Sequence, residues 1–153
     1  MLALLAQYPD AVGWIALPNT EINYPFAQHK NNDYYLRRDL KGEYAAAGTI
    51  FMDSRCERDF TSQNTILYGH HMKNGSMFGT LKMFGEASFF DTNASGTIYL
   101  PNDTLTLAFF AFLVVDPGAE KATRTHCVST RCLCDSSYAF VCANSHGNSP
   151  ASR

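Results

Sequence analysis

The sequence has no apolar run that approaches the ~20 residues that a helix needs to cross a bilayer. Its leucine-rich start, residues 1–6, lacks a basic flank and a cleavage site, so it does not read as a secretion signal. An excess of positive charge is also missing, because 12 Lys plus Arg against 14 Asp plus Glu give a net charge of −2. No basic stripe is available to neutralise a phosphate backbone, which argues against nucleic acid as a partner.

Cysteine is nearly absent from most of the chain. Only Cys56 precedes Cys127, so four of the five cysteines fall in the last part of the sequence. The stretch after Ala122 is rich in Ser, Thr, Cys and Asn and has no apolar period, whereas the part before it is rich in phenylalanine. The sequence therefore predicts a folded domain over residues 1–118 and an atypical tail over residues 119–153.

The first part predicts a mainly β domain with a few short helices. At 153 residues, with 46% hydrophobic and 17% charged residues, the chain can bury one modest core. Runs rich in β-branched and aromatic residues, separated by turn residues, predict six strands. These strands are expected at residues 12–17, 22–26, 48–53, 64–68, 97–100 and 104–115, the first two forming a hairpin.

Helical patterns are few. Residues 2–7 could end a helix before the Tyr8-Pro9 dipeptide, because proline disfavours a helical residue before it. A second helix is predicted between a Ser76 cap and Gly85. Its apolar residues recur at helical spacing: Met77, Phe78, Leu81 and Phe84.

The segment NTILYGHHM, residues 64–72, places His70 just past a strand end and before a polar turn. A neutral imidazole can accept or donate a proton near pH 7, and beside a thiol it can form a thiolate–imidazolium pair. From spacing alone a histidine in this position is more often an ordinary polar loop residue.

The body of the chain closely resembles the class B sortases from about residue 5 to about residue 115. Five segments in the family's order carry the resemblance: PDAVGWI (9–15), INYP (22–25), NNDYYL (31–36), AGTIFMD (47–53), and NTILYGHHM (64–72) continued by GSMF (75–78). The last segment looks like the family's histidine motif almost position for position. The implied fold is a sortase-like closed β-barrel, here incomplete because its last strands are missing.

The resemblance implies a cysteine transpeptidase on the extracellular face of a Gram-positive cell membrane. Such an enzyme cleaves a sorting signal of Asn-Pro-x-Thr-Asn type between Thr and Asn and passes the acyl group to an amine of the peptidoglycan precursor. It attaches surface proteins to the cell wall and needs no cofactor or metal. Its membrane contact is expected only through an anchor that this chain lacks.

The resemblance also implies site residues. The family's catalytic histidine directly follows Tyr-Gly, which makes it His70 and not His71. Asn32 and Leu36 match the region that borders the substrate groove, and Tyr68 lies beside the histidine. For Leu36 and Tyr68, core packing is an equally good explanation.

Where the family has Thr-Leu-x-Thr-Cys at the end of a late strand, followed by an arginine on the next strand, this sequence has neither motif. The nearest counterpart is Thr125-His126-Cys127 with its preceding residues, which makes Cys127 the candidate nucleophile, ahead of Cys132 and Cys134. Arg131 is the matching candidate for oxyanion stabilisation. No apolar strand leads into Cys127.

Two explanations of the tail stay open. A deletion or frameshift near residues 116–124 would explain both the change of composition and the lost motifs, and would leave a catalytically inactive remnant able only to bind peptides. Alternatively the tail is genuine and binds zinc, although Cys-x-Cys is not the usual Cys-x₂₋₄-Cys spacing. Its ligands would come from His126, Cys127, Cys132, Cys134, Cys142 and His146. Cys56, in a polar loop, is expected to be an exposed thiol without a role.

Overall fold

The structure, a computed structural model, describes residues 2–112 and 138–143. Within these residues, two short α-helices and two 3₁₀ helices accompany seven strands. In chain order the elements are α1 (Leu2–Gln7), β1 (Ala11–Ala16), β2 (Asn23–Ala27), the 3₁₀ helix η1 (Tyr34–Arg37), β3 (Ile50–Met52), β4 (Thr65–His70), the 3₁₀ helix η2 (Gly79–Gly85), α2 (Ala87–Thr92), β5 (Ser95–Tyr99), β6 (Thr104–Ala108) and β7 (Tyr138–Ala143).

All seven described strands belong to one curled sheet with the order β6-β5-β1-β2-β3-β4-β7. Neighbouring strands are antiparallel except β2 and β3, which run parallel. The mainly β fold with few short helices is therefore confirmed. Strands β6 and β7 form the edges of the described part, so these residues make a half-barrel and not a closed barrel.

The predicted hairpin at the start of the chain is confirmed. Its turn closes with the Leu17 amide donating to the Ile22 carbonyl at 2.9 Å, and the Thr20 hydroxyl donates to the Leu17 carbonyl. Ile15, Ile22 and Phe26 are fully buried, so the apolar residues of both strands enter the core. Burial of these side chains contributes roughly 1.5–3 kcal/mol each relative to exposure.

Because β2 and β3 are parallel, the chain must cross from one end of the sheet to the other between them. This crossover, residues 28–49, contains η1 and carries Asn32 and Leu36. After the crossover the chain enters β3. Strand β3 pairs with β4, whose last residue is His70. The topology thus brings the crossover and the histidine to the same place.

The helix predicted after Ser76 begins further along the chain than expected, and it is a 3₁₀ helix and not an α-helix. Met77 has a left-handed backbone, with φ of 53°, and pairs with His71 in an isolated β-bridge, so the helix cannot begin at Ser76. The 3₁₀ helix η2 starts at Gly79 instead, with Leu81 and Phe84 buried. Ser76 is not a helix cap, because its hydroxyl donates to Asn74 within the turn.

Other element boundaries differ from the sequence patterns. The last predicted strand, 104–115, ends at Ala108 within the described residues. Helix α2 and the 3₁₀ helix η1 have no counterpart among the predictions. Strand β7 comes from residues 119–153 and pairs with β4, and the boundary at residue 118 stays a prediction. In residues 2–112 and 138–143, no helix combines the length and apolar character needed to span a membrane.

Candidate active site

The alternation of side chains along β4 places Tyr68 and His70 on one face of the sheet. Thr65, Leu67 and Gly69 are buried on the other face. There is no room for a side chain at Gly69, because the ring of Phe78 packs against it. A Cβ at this position would lie 2.6 Å from Phe78 Cδ2. The Phe78 amide also donates to the His70 carbonyl at 3.0 Å, which fixes the backbone of the histidine.

The imidazole of His70 is half-buried and contacts the crossover. Its Nε2 nitrogen lies 2.7 Å from the backbone carbonyl oxygen of Leu36. A carbonyl oxygen only accepts hydrogen bonds, so Nε2 carries a hydrogen. In the neutral ring this leaves the lone pair on Nδ1.

The position of the Leu36 carbonyl depends on Gly48. Gly48 has a φ of +60°, a left-handed backbone conformation that residues other than glycine rarely adopt. A Cβ on Gly48 would lie 2.6 Å from the Leu36 oxygen and would also meet the Tyr35 oxygen. The next residue, Thr49, donates its amide to the Tyr35 carbonyl at 3.0 Å. Close packing of these two backbone segments therefore presents the Leu36 oxygen to His70.

Asn32 and Tyr68 meet at a third residue, Asp53. The Tyr68 hydroxyl donates to Asp53 Oδ2 at 2.6 Å, and Asn32 Nδ2 donates to the same oxygen at 3.1 Å. Arg55 donates from Nε to Oδ1 at 2.8 Å and from Nη2 to Oδ2 at 2.7 Å. The Asp53 side chain is only 1% exposed, whereas that of Arg55 is 63% exposed.

The ionisation of this cluster follows from its contacts. Burial alone would raise the pKa of Asp53, but the hydrogen bonds from Arg55 and Tyr68 outweigh it and hold that pKa well below its usual range. Burial, followed by the hydrogen bond to Asp53, raises the pKa of Tyr68 well above its usual value. Asp53 is therefore a carboxylate and Tyr68 a neutral phenol at neutral pH.

Both side chains have a second contact that fixes them. Asn32 Oδ1 accepts the Ser54 amide at 2.8 Å, so the two ends of its amide group are both hydrogen-bonded. The Tyr68 ring stacks on Phe51, with centroids 5.1 Å apart. Neither side chain has to be ordered by a ligand.

The structure brings the candidate residues together in two pairs. His70 contacts Leu36 through its backbone oxygen, and Asn32 and Tyr68 share one oxygen of Asp53. Sequence reasoning missed Asp53. The signal was available, since a lone carboxylate directly follows the apolar run of the segment AGTIFMD.

The remaining candidates lie outside the described residues. These are the side chains of Cys127, Arg131, Cys132 and Cys134 and the proposed zinc ligands His126, Cys142 and His146, of which only the backbone of Cys142 is described. In the part of the chain that the structure describes, no group of three or more His, Cys, Asp or Glu residues could hold a metal ion.

The expectation that Cys56 is an exposed thiol is wrong. It is half-buried against the hydrophobic core, and its Sγ donates to the Asn64 carbonyl at 3.4 Å. Burial raises the pKa of the Cys56 thiol, so little thiolate forms at neutral pH.

Comparison with known proteins gives relatives of one kind. No family model matches the sequence. The chain is 50% identical over 80 residues to sortase B of Listeria monocytogenes, which is 52% of this chain and 32% of the relative. It is 45% identical over 82 residues to sortase B of Staphylococcus aureus, which is 54% of this chain and 34% of the relative. The chain thus spans about a third of the length of the curated relatives it matches.

Solved structures extend the similarity over more of the chain. A Bacillus anthracis protein described as similar to sortase B is 30% identical, with a TM-score of 0.68, over 94% of this chain and 79% of that one. The chain belongs to the sortase B family. A class B sortase of Streptococcus pyogenes is 33% identical, with a TM-score of 0.66, over 69% of this chain and 59% of its own. The sortase B resemblance read from the sequence motifs is therefore confirmed.

Proposed function

We propose that this chain belongs to a class B sortase-type cysteine transpeptidase that cleaves a C-terminal sorting signal of Asn-Pro-x-Thr-Asn type. The enzyme would then attach the surface protein to an amine of the peptidoglycan precursor at the outer face of the cell membrane. The observation that carries the proposal is the position of His70, held by the Leu36 carbonyl beside the Asn32–Tyr68 pair. Among its relatives, S. aureus sortase B has been solved as a substrate complex, and this chain is 36% identical to it with a TM-score of 0.64.

In this mechanism His70 is the general acid. A thiolate attacks the threonine carbonyl carbon, the C–N bond to asparagine breaks, and the imidazolium donates a proton to the leaving amine. The Leu36 oxygen retains the Nε2 hydrogen, so the proton that moves is carried by Nδ1. In the second half of the reaction the incoming amine attacks the thioester carbon, the C–S bond breaks to release the thiolate, and the same nitrogen accepts a proton from the amine. Cys127 stays the candidate nucleophile and Arg131 the candidate for oxyanion stabilisation.

The sorting peptide would bind where the crossover meets β4. The region contains η1 with Leu36, the half-buried ring of Tyr68 and the amide of Asn32. An apolar side chain, an aromatic ring and an amide suit a peptide in which one proline lies among polar residues. Asp53, the carboxylate that Asn32 and Tyr68 contact, is paired with Arg55, so this pair adds no net charge to the region where the peptide would bind.

The direct test is to incubate the purified chain with an Asn-Pro-Ala-Thr-Asn peptide and look by intact mass spectrometry for an acyl adduct. Mapping of the modified cysteine identifies the nucleophile. The proposal expects an adduct that disappears in His70→Ala and persists in His71→Ala, the matched control at the neighbouring histidine. An adduct that survives His70→Ala would contradict the role of His70. Absence of any adduct, with the thiols shown to be reduced, would contradict transpeptidation by this chain.

A second candidate function is peptide binding without chemistry. It is favoured because the Asn32–Asp53–Tyr68 cluster of the proposed groove is fully formed. By contrast, burial raises the thiol pKa of Cys56, the cysteine whose side chain the structure describes, so Cys56 is a poor nucleophile. Binding of the same peptide without an adduct would select this function. Release of the peptide fragment or formation of an adduct would exclude it.

A further inference from the structure

Asp53 is the most deeply buried charged side chain of the site, and its contacts come from three separate segments. Tyr68 reaches it from β4 and Asn32 from the crossover, and Arg55 follows it in the loop after β3. Asn32 and Tyr68 both use Oδ2, and Arg55 binds both oxygens. The Arg55 backbone amide adds a further hydrogen bond to Oδ1 at 2.9 Å.

Every one of these groups donates, and none accepts. A carboxylate only accepts, and it does so at both oxygens: Oδ1 receives two of these five hydrogen bonds and Oδ2 receives three. An amide could not do so, since its nitrogen would face donors on whichever side it lay. The geometry therefore requires the carboxylate itself and not merely a polar side chain of the same shape.

The cost of burying this charge also needs an explanation. Removing a carboxylate from water is unfavourable unless it is paired and hydrogen-bonded, and a pair of this kind is often no more stabilising than apolar residues of the same volume. What the carboxylate provides that an apolar residue cannot is orientation, because it fixes the Asn32 amide and the Tyr68 hydroxyl relative to each other. These are two of the residues that we assign to the peptide groove.

We propose that Asp53, with Arg55 as its counterion, is a positioning residue that holds Asn32 and Tyr68 in the orientation in which they contact the sorting peptide. The proposal rests on the proposed function, because it concerns the same groove. It assigns Asp53 to the groove as a residue that does not contact the peptide itself and acts through Asn32 and Tyr68. The Arg55 side chain is exposed and forms the solvent side of the cluster. Asn32 and Tyr68 supply the other hydrogen bonds to Asp53.

The test compares two isosteric changes of aspartate to asparagine. Asp53→Asn places an amide nitrogen among donors, whereas Asp59→Asn, the matched control, changes an exposed carboxylate that accepts from Thr61. The affinity for a fluorescent Asn-Pro-Ala-Thr-Asn peptide is measured by anisotropy, with a scrambled peptide as reference. Because Asp53→Asn removes the charge that Asn32 and Tyr68 are oriented by and sets an amide nitrogen against their donors, it is expected to weaken binding by about 10-fold or more. Asp59→Asn is expected to stay within about twofold, as surface substitutions usually do.

A positioning role is separated from a general structural role by a double-mutant cycle. If Asp53 acts through Asn32 and Tyr68, then Asp53→Asn adds little to the loss already caused by the Asn32→Ala/Tyr68→Phe double variant. If it acts only through stability, the losses of affinity add. Additive losses, with circular dichroism showing all variants folded, overturn the proposal.

The outcomes keep the two proposals apart. A wild-type chain that binds the sorting peptide no better than the scrambled one contradicts the proposed function and removes the basis for the Asp53 assignment. Wild-type binding that Asp53→Asn leaves within about twofold overturns the Asp53 assignment alone. If Asp53→Asn does not fold, the Asn32→Ala and Tyr68→Phe cycle decides the question. Because both groups share one oxygen, non-additive losses support the proposal and additive losses overturn it.

Discussion

His70 Nε2 and the carbonyl oxygen of Leu36 lie 2.7 Å apart although the two residues are separated by 34 positions in the chain. This contact ties the end of β4 to the crossover between β2 and β3. It sets the tautomer of the imidazole through a backbone atom, so the side chain of residue 36 can vary without changing it. His70 and the residues proposed to line the peptide groove are in this way parts of one arrangement.

The Leu36 carbonyl keeps its place only if residue 48 is glycine. We expect Gly48→Ala to lower the free energy of unfolding by about 1–2 kcal/mol for the left-handed backbone and by roughly 1–3 kcal/mol more for the clash with Leu36. Gly75→Ala is the matched control, since Gly75 also has a positive φ, 86°, but a Cβ there would meet only Thr80 Cγ2, at 3.6 Å. Urea denaturation of both variants measures the difference. Equal losses in the two variants would contradict the close approach at Gly48.

The glycine of the Tyr-Gly-His sequence has a separate role in packing. Gly69→Ala would push Cβ into the ring of Phe78, and we expect it to cost about 1–3 kcal/mol of stability. The double variant Gly69→Ala/Phe78→Leu should be more stable than the sum of the single changes predicts, because the smaller side chain makes room. Additive losses in urea denaturation would show that Phe78 is not what excludes a side chain at residue 69.

The sequence motifs predict the surroundings of His70 better than they predict its contacts. Tyr68 is correctly expected in a β-strand, since β-branched and aromatic residues fill this run, whereas His70, expected just past the strand, is the last residue of β4. The Leu36 contact could not be predicted from residue types, because it uses a backbone oxygen. The local segment marks Asp53 as a lone carboxylate after an apolar run, but its partners are 21 and 15 residues away, so the sequence does not show what it contacts. The helix after Ser76 was misplaced because the bridge between His71 and Met77 overrides helical spacing.

The ion pair predicts a particular dependence of stability on pH. The pKa of Asp53 is lower in the folded chain than its unfolded value of about 3.9, so its contribution is fully present above that pH. The contribution is lost as the pH falls through the folded value. Wild-type stability should therefore decline more steeply below about pH 4 than that of Asp53→Asn.

Urea denaturation between pH 7 and pH 2 measures this difference. Asp91→Asn, which removes an exposed carboxylate on α2, controls for the general loss of charge. Its curve should follow the wild type. Parallel curves for Asp53→Asn and wild type would mean that Asp53 has no depressed pKa in the folded chain.

The burial of Cys56 predicts a slow thiol. Because its pKa is raised and its Sγ is hydrogen-bonded to Asn64, we expect iodoacetamide to modify Cys56 more slowly in the folded chain than in the chain unfolded by urea. Peptide mapping of the alkylated sites follows this cysteine separately from the others. Equal rates in the folded and unfolded chains would contradict the burial of Cys56.

The central claim is that the Leu36 carbonyl holds the hydrogen of His70 on Nε2, which is the tautomer that the proposed mechanism requires. Nitrogen NMR of the ring distinguishes the two neutral tautomers directly, with the His70 signals assigned from the His70→Gln variant. At a pH above ~9, where imidazoles are neutral, we expect His70 to carry its hydrogen on Nε2. A ring with its hydrogen on Nδ1, or one that averages between the two forms, would contradict the contact with Leu36 and the mechanism built on it.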